Sequence, residues 1–77
     1  MGDSIFAKRL KEIRINKRFT QEYVAQLIDV SRSTYSNYET GFREPSIQII
    51  NRISDVFDVN VDWLFGRTDI KEPYPKK

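Results

Sequence analysis

The sequence predicts a single all-α domain built from five short helices. A chain of 77 residues has the length of one small domain. Its apolar residues recur at helical spacing, and no stretch alternates between apolar and polar residues as a half-buried strand does. Residues that cap helix starts precede the apolar stretches, and Gly follows two of them. The helices should therefore be joined by short connections.

The first two helices are predicted over residues 4–17 and 21–28. Apolar residues around the first helix recur near helical spacing at Ile5, Phe6, Leu10, Ile13 and Phe19. The apolar stripe of the second helix consists of Val24, Leu27 and Ile28. Asp3 or Ser4 can cap the first helix, and Thr20 can cap the second, because their side-chain oxygens accept hydrogen bonds from free amides.

The third helix is predicted over residues 31–40. Ser31 can cap its start, and Gly41 stands where a left-handed residue ends many helices. A turn of three or four residues separates this helix from the second one. Two short helices joined in this way, with short polar side chains along the exposed start of the second, describe a helix-turn-helix unit.

The fourth and fifth helices follow a connector that contains Pro45. Ser46 can cap the fourth helix, predicted over about 46–57. Its apolar residues cover more than one stripe and are Ile47, Ile49, Ile50, Ile53, Val56 and Phe57. We therefore expect this helix to lie centrally against several neighbours. Asn60 can cap a last short turn over 61–65, which Gly66 ends.

The domain should span residues 1–66, followed by a flexible basic tail over 67–77. The tail contains two Pro and two terminal Lys and too few apolar residues to pack. The net charge of the whole chain is only +2. Residues 1–20, however, hold six Lys and Arg against two Asp and Glu. A basic face can therefore exist, and such a face attracts phosphate or anionic lipid alike.

Composition excludes several classes of function. The chain has no Cys and no His, which removes disulfides, thiol nucleophiles, imidazole bases and zinc fingers. Paired carboxylates such as Asp55 and Asp58 have no accompanying base, metal spacing or Gly-rich loop. We expect neither an enzyme, nor a cofactor or metal, nor a small-molecule substrate. The start shows no signal peptide, and no apolar run in the sequence is long enough for a membrane span, so we expect a cytoplasmic protein.

Five ordered blocks of the sequence carry a recognisable pattern. They are residues 10–14 (LKEIR), 20–25 (TQEYVA), 30–35 (VSRSTY), 38–41 (YETG) with 45–46 (PS), and 58–66 (DVNVDWLFG). In these blocks the chain strongly resembles the lambda-repressor-like helix-turn-helix family of phage repressors, Cro proteins and bacterial relatives. The resemblance covers roughly residues 5–66. It implies a compact five-helix fold whose third helix enters the major groove of DNA.

The third helix has one face suited to reading bases. Tyr35 and Tyr38 are three residues apart and should face the core. The side chains that should then project outward are Arg32, Ser33, Ser36 and Asn37. Arg pairs bidentately with guanine and Asn with adenine, whereas Ser is a permissive contact. We predict that these four contact bases, and that Thr34, between the two faces, contacts phosphate.

The resemblance also assigns roles outside the base-reading face. It implies that Gln21, Thr40 and Arg43 contact phosphates and position the protein without reading sequence. Arg14 and Glu39 match a pair that forms a partly buried salt bridge in some relatives. Two positions depart from the family, since Phe42 lies in a loop that often holds more Lys, and Asp29 stands where Gly is usual.

A homodimer on an inverted-repeat operator in double-stranded DNA is expected, because one small module buries too little surface for tight operator binding. Trp63, Leu64 and Phe65 could be plain core or could form a dimer contact. The function predicted is a sequence-specific transcriptional regulator, a repressor of phage or mobile-element type. Two alternatives remain. One is a protein-interaction module, such as an antitoxin or antirepressor partner, and the other is membrane-surface binding, which acidic neighbours of the basic helix disfavour.

Overall fold

A computed structural model describes residues 4–75 and contains five α-helices and no strand within that range. The helices are α1 (Ile5–Asn16), α2 (Gln21–Leu27), α3 (Arg32–Thr40), α4 (Ile47–Phe57) and α5 (Val61–Leu64). The predicted all-α, five-helix fold is confirmed, with each boundary within one residue of its prediction. Asp3, one of the two candidate caps of the first helix, lies outside the described residues.

Each helix begins at a polar residue whose side chain accepts a backbone hydrogen bond. The caps are Ser4 for α1, Thr20 for α2, Ser31 for α3, Ser46 for α4 and Asn60 for α5. In every case the amide that donates lies three residues further along, so one otherwise unpaired N–H group of the first turn is satisfied. This local chemistry explains why the helix starts could be predicted from sequence.

Residues with left-handed backbone geometry stand at the end of each helix or directly after its C-cap. Gly41 has φ 81° and ends α3, and Asp29 has φ 64° in the turn between α2 and α3. Arg18 and Asp58 also have positive φ, at 62° and 57°. The sequence indicated the first two positions, but it carried no signal for Arg18, because a side-chained residue adopts this conformation only when the surrounding packing demands it.

The core is formed by side chains from all five helices. The largest fully buried side chains are Tyr35, Phe57, Leu10, Ile28, Ile53, Leu64 and Val24. Tyr38 is also buried, with its ring edge-on to that of Tyr35 at a centroid distance of 6.4 Å. Both tyrosines of α3 therefore face inward, as their spacing predicted. The opposite face of α3 is left to solvent.

Three apolar residues assigned to buried stripes are in fact exposed. Ile5 is 51% exposed, Leu27 is 46% exposed and Ile47 is 76% exposed. Each lies in the first or last turn of its helix. The expectation that α4 is buried on several sides was wrong at its N-terminal end, because helical spacing shows which residues share a face but not how far the adjoining helices reach.

The helices of the part that the structure describes are short. The longest, α1, has 12 residues, and none of them combines the length and the apolar content that crossing a bilayer requires.

Candidate nucleic-acid interface

The outer face of α3 carries the side chains predicted to read bases. Arg32 and Ser33 are exposed, while Ser36 and Asn37 are partly exposed and follow one turn later along the same helix. Tyr35 and Tyr38 pack into the core behind them. The structure therefore brings the four candidates together on one solvent-facing surface, which we call the α3 outer face.

The first turn of α3 is held by hydroxyl groups. The Ser31 side chain accepts the Thr34 amide at 3.1 Å, and the Ser31 hydroxyl donates to Thr34 Oγ1 at 2.9 Å. Thr34 is partly exposed. Its side chain thus stabilises the start of the helix that carries Arg32 and Ser33, in addition to being available at the surface.

The loop after α3 is anchored to the last turn of that helix. The Thr40 hydroxyl donates to the Asn37 carbonyl at 3.2 Å and accepts from the Phe42 amide at 3.3 Å. The Arg43 amide donates to the same Asn37 carbonyl at 3.2 Å. Arg43 is exposed, and the side chain of Phe42 is 80% exposed. The backbone around Arg43 is therefore fixed relative to α3, while its guanidinium group is free to meet solvent.

An ion pair ties α1 to the end of α3. Arg14 Nε lies 2.6 Å from Glu39 Oε2, and Arg14 Nη2 lies 3.1 Å from Glu39 Oε1, so the pair is bidentate. Arg14 Nη1 also donates to the Phe19 carbonyl at 2.9 Å. Gln21, at the start of α2, donates from Nε2 to Glu39 Oε1 at 3.1 Å. Three helices thus meet at one buried carboxylate.

Glu39 stays ionised despite its burial. Burial by itself raises the pKa of this carboxyl, but the hydrogen bonds from Arg14 and Gln21, together with the nearby Tyr35 hydroxyl, outweigh that effect and hold the pKa below its ordinary value of 4.5. For Tyr35, burial raises the pKa and the neighbouring Glu39 carboxylate raises it further. The Tyr35 hydroxyl lies beside this carboxylate without a hydrogen bond of good geometry in residues 4–75. At neutral pH the cluster therefore contains a charged pair and a neutral phenol.

Two structural contacts near the interface have no counterpart in the sequence pattern. The bond from Gln21 to Glu39 is one. The other comes from Arg52 on α4, whose Nη1 donates to the Ile28 carbonyl at 3.1 Å and so satisfies the end of α2 beside the turn to α3. Both join residues far apart in sequence, and only the packing of the helices reveals them.

Trp63, Leu64 and Phe65, which the sequence allowed as either core residues or dimer contacts, differ in their exposure. Trp63 is 3% exposed and Leu64 is fully buried, so both belong to the core of the single chain. Phe65 is 43% exposed and stacks on Phe6 at a ring-centroid distance of 5.1 Å. It borders an open pocket of about 90 Å³ whose lining residues are Ser4, Phe6, Glu44, Pro45, Ile50 and Phe65. Of the three, only Phe65 has a side chain that a second chain could reach.

A short helix, a tight turn and a second helix with an exposed polar face, all seated on a small helical core, define the helix-turn-helix class. The family model described as Helix-turn-helix matches residues 10–64, which is more than half of the chain. The chain belongs to this family, and its fold is lambda-repressor-like, as the sequence blocks indicated.

Among curated proteins, the HTH-type transcriptional regulator AnsR of Bacillus subtilis is 38% identical over 68 residues, which cover 88% of this chain and 59% of AnsR. Among solved structures, the restriction-modification controller protein C.AhdI from Aeromonas hydrophila is 32% identical with a TM-score of 0.75, covering 80% of this chain and 94% of that one. The N-terminal DNA-binding domain of SinR from Bacillus subtilis is 31% identical with a TM-score of 0.71, covering 78% of this chain and 88% of that one. The chain spans about half of the length of the curated relatives it matches.

Proposed function

We propose that this protein is a sequence-specific, double-stranded DNA-binding transcriptional regulator that places α3 in the major groove. The observation that carries the proposal is the α3 outer face. It is polar and accessible to solvent, while Tyr35 and Tyr38 pack the opposite face of the helix into the core. The major groove is about 12 Å wide and accepts one α-helix. The similarity to AnsR and to the DNA-binding domain of SinR supports the same conclusion.

Sequence is read from the first two turns of α3. Arg32 is suited to the two acceptors of guanine, and Asn37 to the donor and acceptor of adenine. Ser33 and Ser36 lie between them and accept more than one base. Because Tyr35 is immobilised in the core, these four side chains approach the groove from a rigid support.

Phosphates hold the protein in register on either side of the groove. We assign this role to Gln21, Thr34, Thr40 and Arg43, of which Arg43 carries the only positive charge. Gln21 has one amide hydrogen engaged by Glu39, which orients the side chain and leaves the other amide hydrogen for a phosphate oxygen. These contacts should supply affinity that depends on salt and not on sequence.

We propose that two copies bind an inverted repeat, with half-sites about 34 Å apart. Phe65 and the pocket beside it offer an exposed apolar surface for the second copy, whereas Trp63 and Leu64 act from inside by supporting Phe65. The protein would act in the cytoplasm as a repressor of phage or mobile-element type by occupying promoter DNA, and not as an enzyme.

Selection from a random duplex library tests this function. The full chain is incubated with the library at two salt concentrations, and the bound DNA is sequenced. A selected palindrome supports a dimeric regulator. Uniform, salt-sensitive binding contradicts sequence reading, and the absence of binding favours the alternative of a protein-interaction module such as an antitoxin or antirepressor partner.

A further inference from the structure

The chain after α5 lies along the side of the domain formed by α1 and α5. The Arg67 amide donates to the Asp62 carbonyl at 2.9 Å, and Arg9 Nη1 on α1 donates to the Thr68 carbonyl at 3.1 Å. Further along, the Tyr74 hydroxyl donates to Asp62 Oδ2 at 2.6 Å. These contacts follow residues 67–74, which we call the C-terminal segment, over most of its length.

Asn60 makes the central contacts with this segment. Its side chain is buried, and Oδ1 accepts the Trp63 amide at 2.6 Å as the cap of α5. Its Nδ2 donates to the Ile70 carbonyl at 2.7 Å and to the Glu72 carbonyl at 2.9 Å. Its backbone N–H donates to the Lys71 carbonyl at 3.0 Å. Capping α5 requires only the oxygen, so the two amide hydrogens are used entirely for the segment.

The buried indole ring of Trp63 lies close to two cationic side chains. The Arg9 guanidinium lies 4.7 Å from the indole ring centroid, and the Lys71 ammonium lies 5.1 Å from it. Both distances are within the range of cation–π attraction. One of these cations belongs to α1 and the other to the C-terminal segment, so the indole contacts charged groups from both.

We propose that Arg9, Asn60 and Trp63 form a groove that binds extended peptide backbone, and that the C-terminal segment is its occupant. Four main-chain carbonyls, those of residues 68, 70, 71 and 72, are recognised directly. Side chains contribute at Lys71 and Tyr74. The folded domain therefore continues past Gly66, in place of the flexible tail expected from composition. This inference is independent of DNA binding.

The groove gives α5 support that its own length does not provide. A helix of four residues forms a single turn, and so short a helix is unstable in isolation. Asn60 at its start and Asp62 inside it are both bonded to the C-terminal segment. Docking of the segment thus holds α5, and with it Phe65, against α1.

The sharpest test is the exchange rate of the backbone amide of residue 60, because this hydrogen is bonded to the segment itself. Asn60→Asp keeps a cap oxygen for Trp63 but loses both donors to residues 70 and 72. Loss of two hydrogen bonds should accelerate exchange at residue 60 by about tenfold or more. Acrylamide quenching of Trp63, the single Trp of the chain, should rise in parallel.

Asn51→Asp is the matched control, since it makes the same chemical change at an exposed position of α4. It should leave residue 60 unchanged, and the Tyr35 amide in α3 should exchange equally slowly in all variants. If Asn60→Asp also accelerates amide exchange at Tyr35, Tyr74→Phe is the deciding variant. It removes only the hydrogen bond from the Tyr74 hydroxyl to Asp62 and should accelerate exchange at residue 60 by about twofold or more. The proposal is overturned if the amide hydrogen of residue 60 exchanges freely in the unaltered chain. It is also overturned if exchange at residue 60 is not accelerated in a variant whose Tyr35 amide still exchanges slowly.

Discussion

Individual residues of α3 divide into a buried set and a more exposed polar set, to which we assign DNA recognition. Tyr35, Tyr38 and Glu39 are inside, and the polar residues between them remain at the surface. Substitutions on the α3 outer face should therefore alter DNA recognition without unfolding the protein. Substitutions at the buried positions should instead lower stability, and DNA binding should then weaken because the domain unfolds.

Asn37 and Arg43 should differ in the kind of loss that their removal produces. Asn37→Ala should relax the preference at one base position by about tenfold, because one bidentate contact discriminates by about 1–3 kcal/mol. Arg43→Ala should weaken binding to all sequences alike and reduce the salt dependence by about one released ion. Binding isotherms on the selected operator and on single-base variants measure both effects. Equal losses in both variants with no change of preference would contradict these assignments.

Asp29 carries the strain of the turn between α2 and α3. Its φ of 64° is unfavourable for a residue with a β-carbon. Asp29→Gly should raise the free energy of unfolding by about 0.5 kcal/mol and the melting temperature by about 2–4 °C, since relief of strain exceeds the added entropy of the unfolded chain. Asp29→Ala retains the β-carbon and should lower the melting temperature. Calorimetry measures both melting temperatures. A clear decrease in the melting temperature of Asp29→Gly would show that Asp29 is not strained in this turn.

Among elements, the decisive connection is the one that fixes α3 relative to α1 and α2. Glu39 receives Arg14 from α1 and Gln21 from α2, so the recognition helix and a proposed phosphate contact share one anchor. Arg52 adds a second restraint from α4 at the end of α2. Displacing any of these groups should change the angle at which α3 meets DNA.

The anchor makes stability depend on pH in a defined direction. The pKa of Glu39 is lower in the folded chain than its ordinary value of 4.5, so its contribution is complete above that value and is lost as pH falls through the folded pKa. Glu39→Gln should lower stability at neutral pH by about 3 kcal/mol, and the variant should show a smaller decrease between neutral pH and about pH 3. Urea denaturation across this range measures both.

Glu12→Gln is the control for that measurement, because Glu12 is an exposed carboxylate of α1. Its stability should stay within about 0.5 kcal/mol of the unaltered chain at neutral pH. An unchanged pH profile for Glu39→Gln would show that the buried pair does not govern the acid transition.

At the scale of the whole molecule, the proposed DNA-reading surface and the proposed dimer surface lie in different places. The α3 outer face is polar, whereas the region around Phe65 and its pocket is apolar. The C-terminal segment supports α5, which precedes Phe65, so assembly is coupled to docking of the segment in the proposed arrangement.

Phe65→Glu should separate dimer formation from DNA reading. A charge placed in the proposed apolar contact between the two copies should raise the dimer dissociation constant by at least about tenfold. Affinity for a full palindrome should fall, while affinity for a single half-site is retained. Ile15→Glu places the same charge at an exposed apolar residue of α1 and should have no effect. Sedimentation velocity provides the measurement, and dimers of undiminished stability in Phe65→Glu would exclude this surface.

The chain's local chemistry determined most of the fold. Caps such as Ser31 and terminators such as Gly41 act within a few residues, and helical spacing marks Tyr35 and Tyr38 as buried. The composition of the α3 outer face was predictable for the same reason, because the residues that remain on a helix after its apolar face is assigned must face outward.

Tertiary structure alone decided the contacts between distant segments. The exposure of Ile47 depends on where neighbouring helices end, and the bonds of Gln21 to Glu39 and of Asn60 to the C-terminal segment depend on helices placed side by side. Periodicity and capping report on neighbours along the chain, whereas these interactions arise between residues that only the packed core brings within hydrogen-bonding distance.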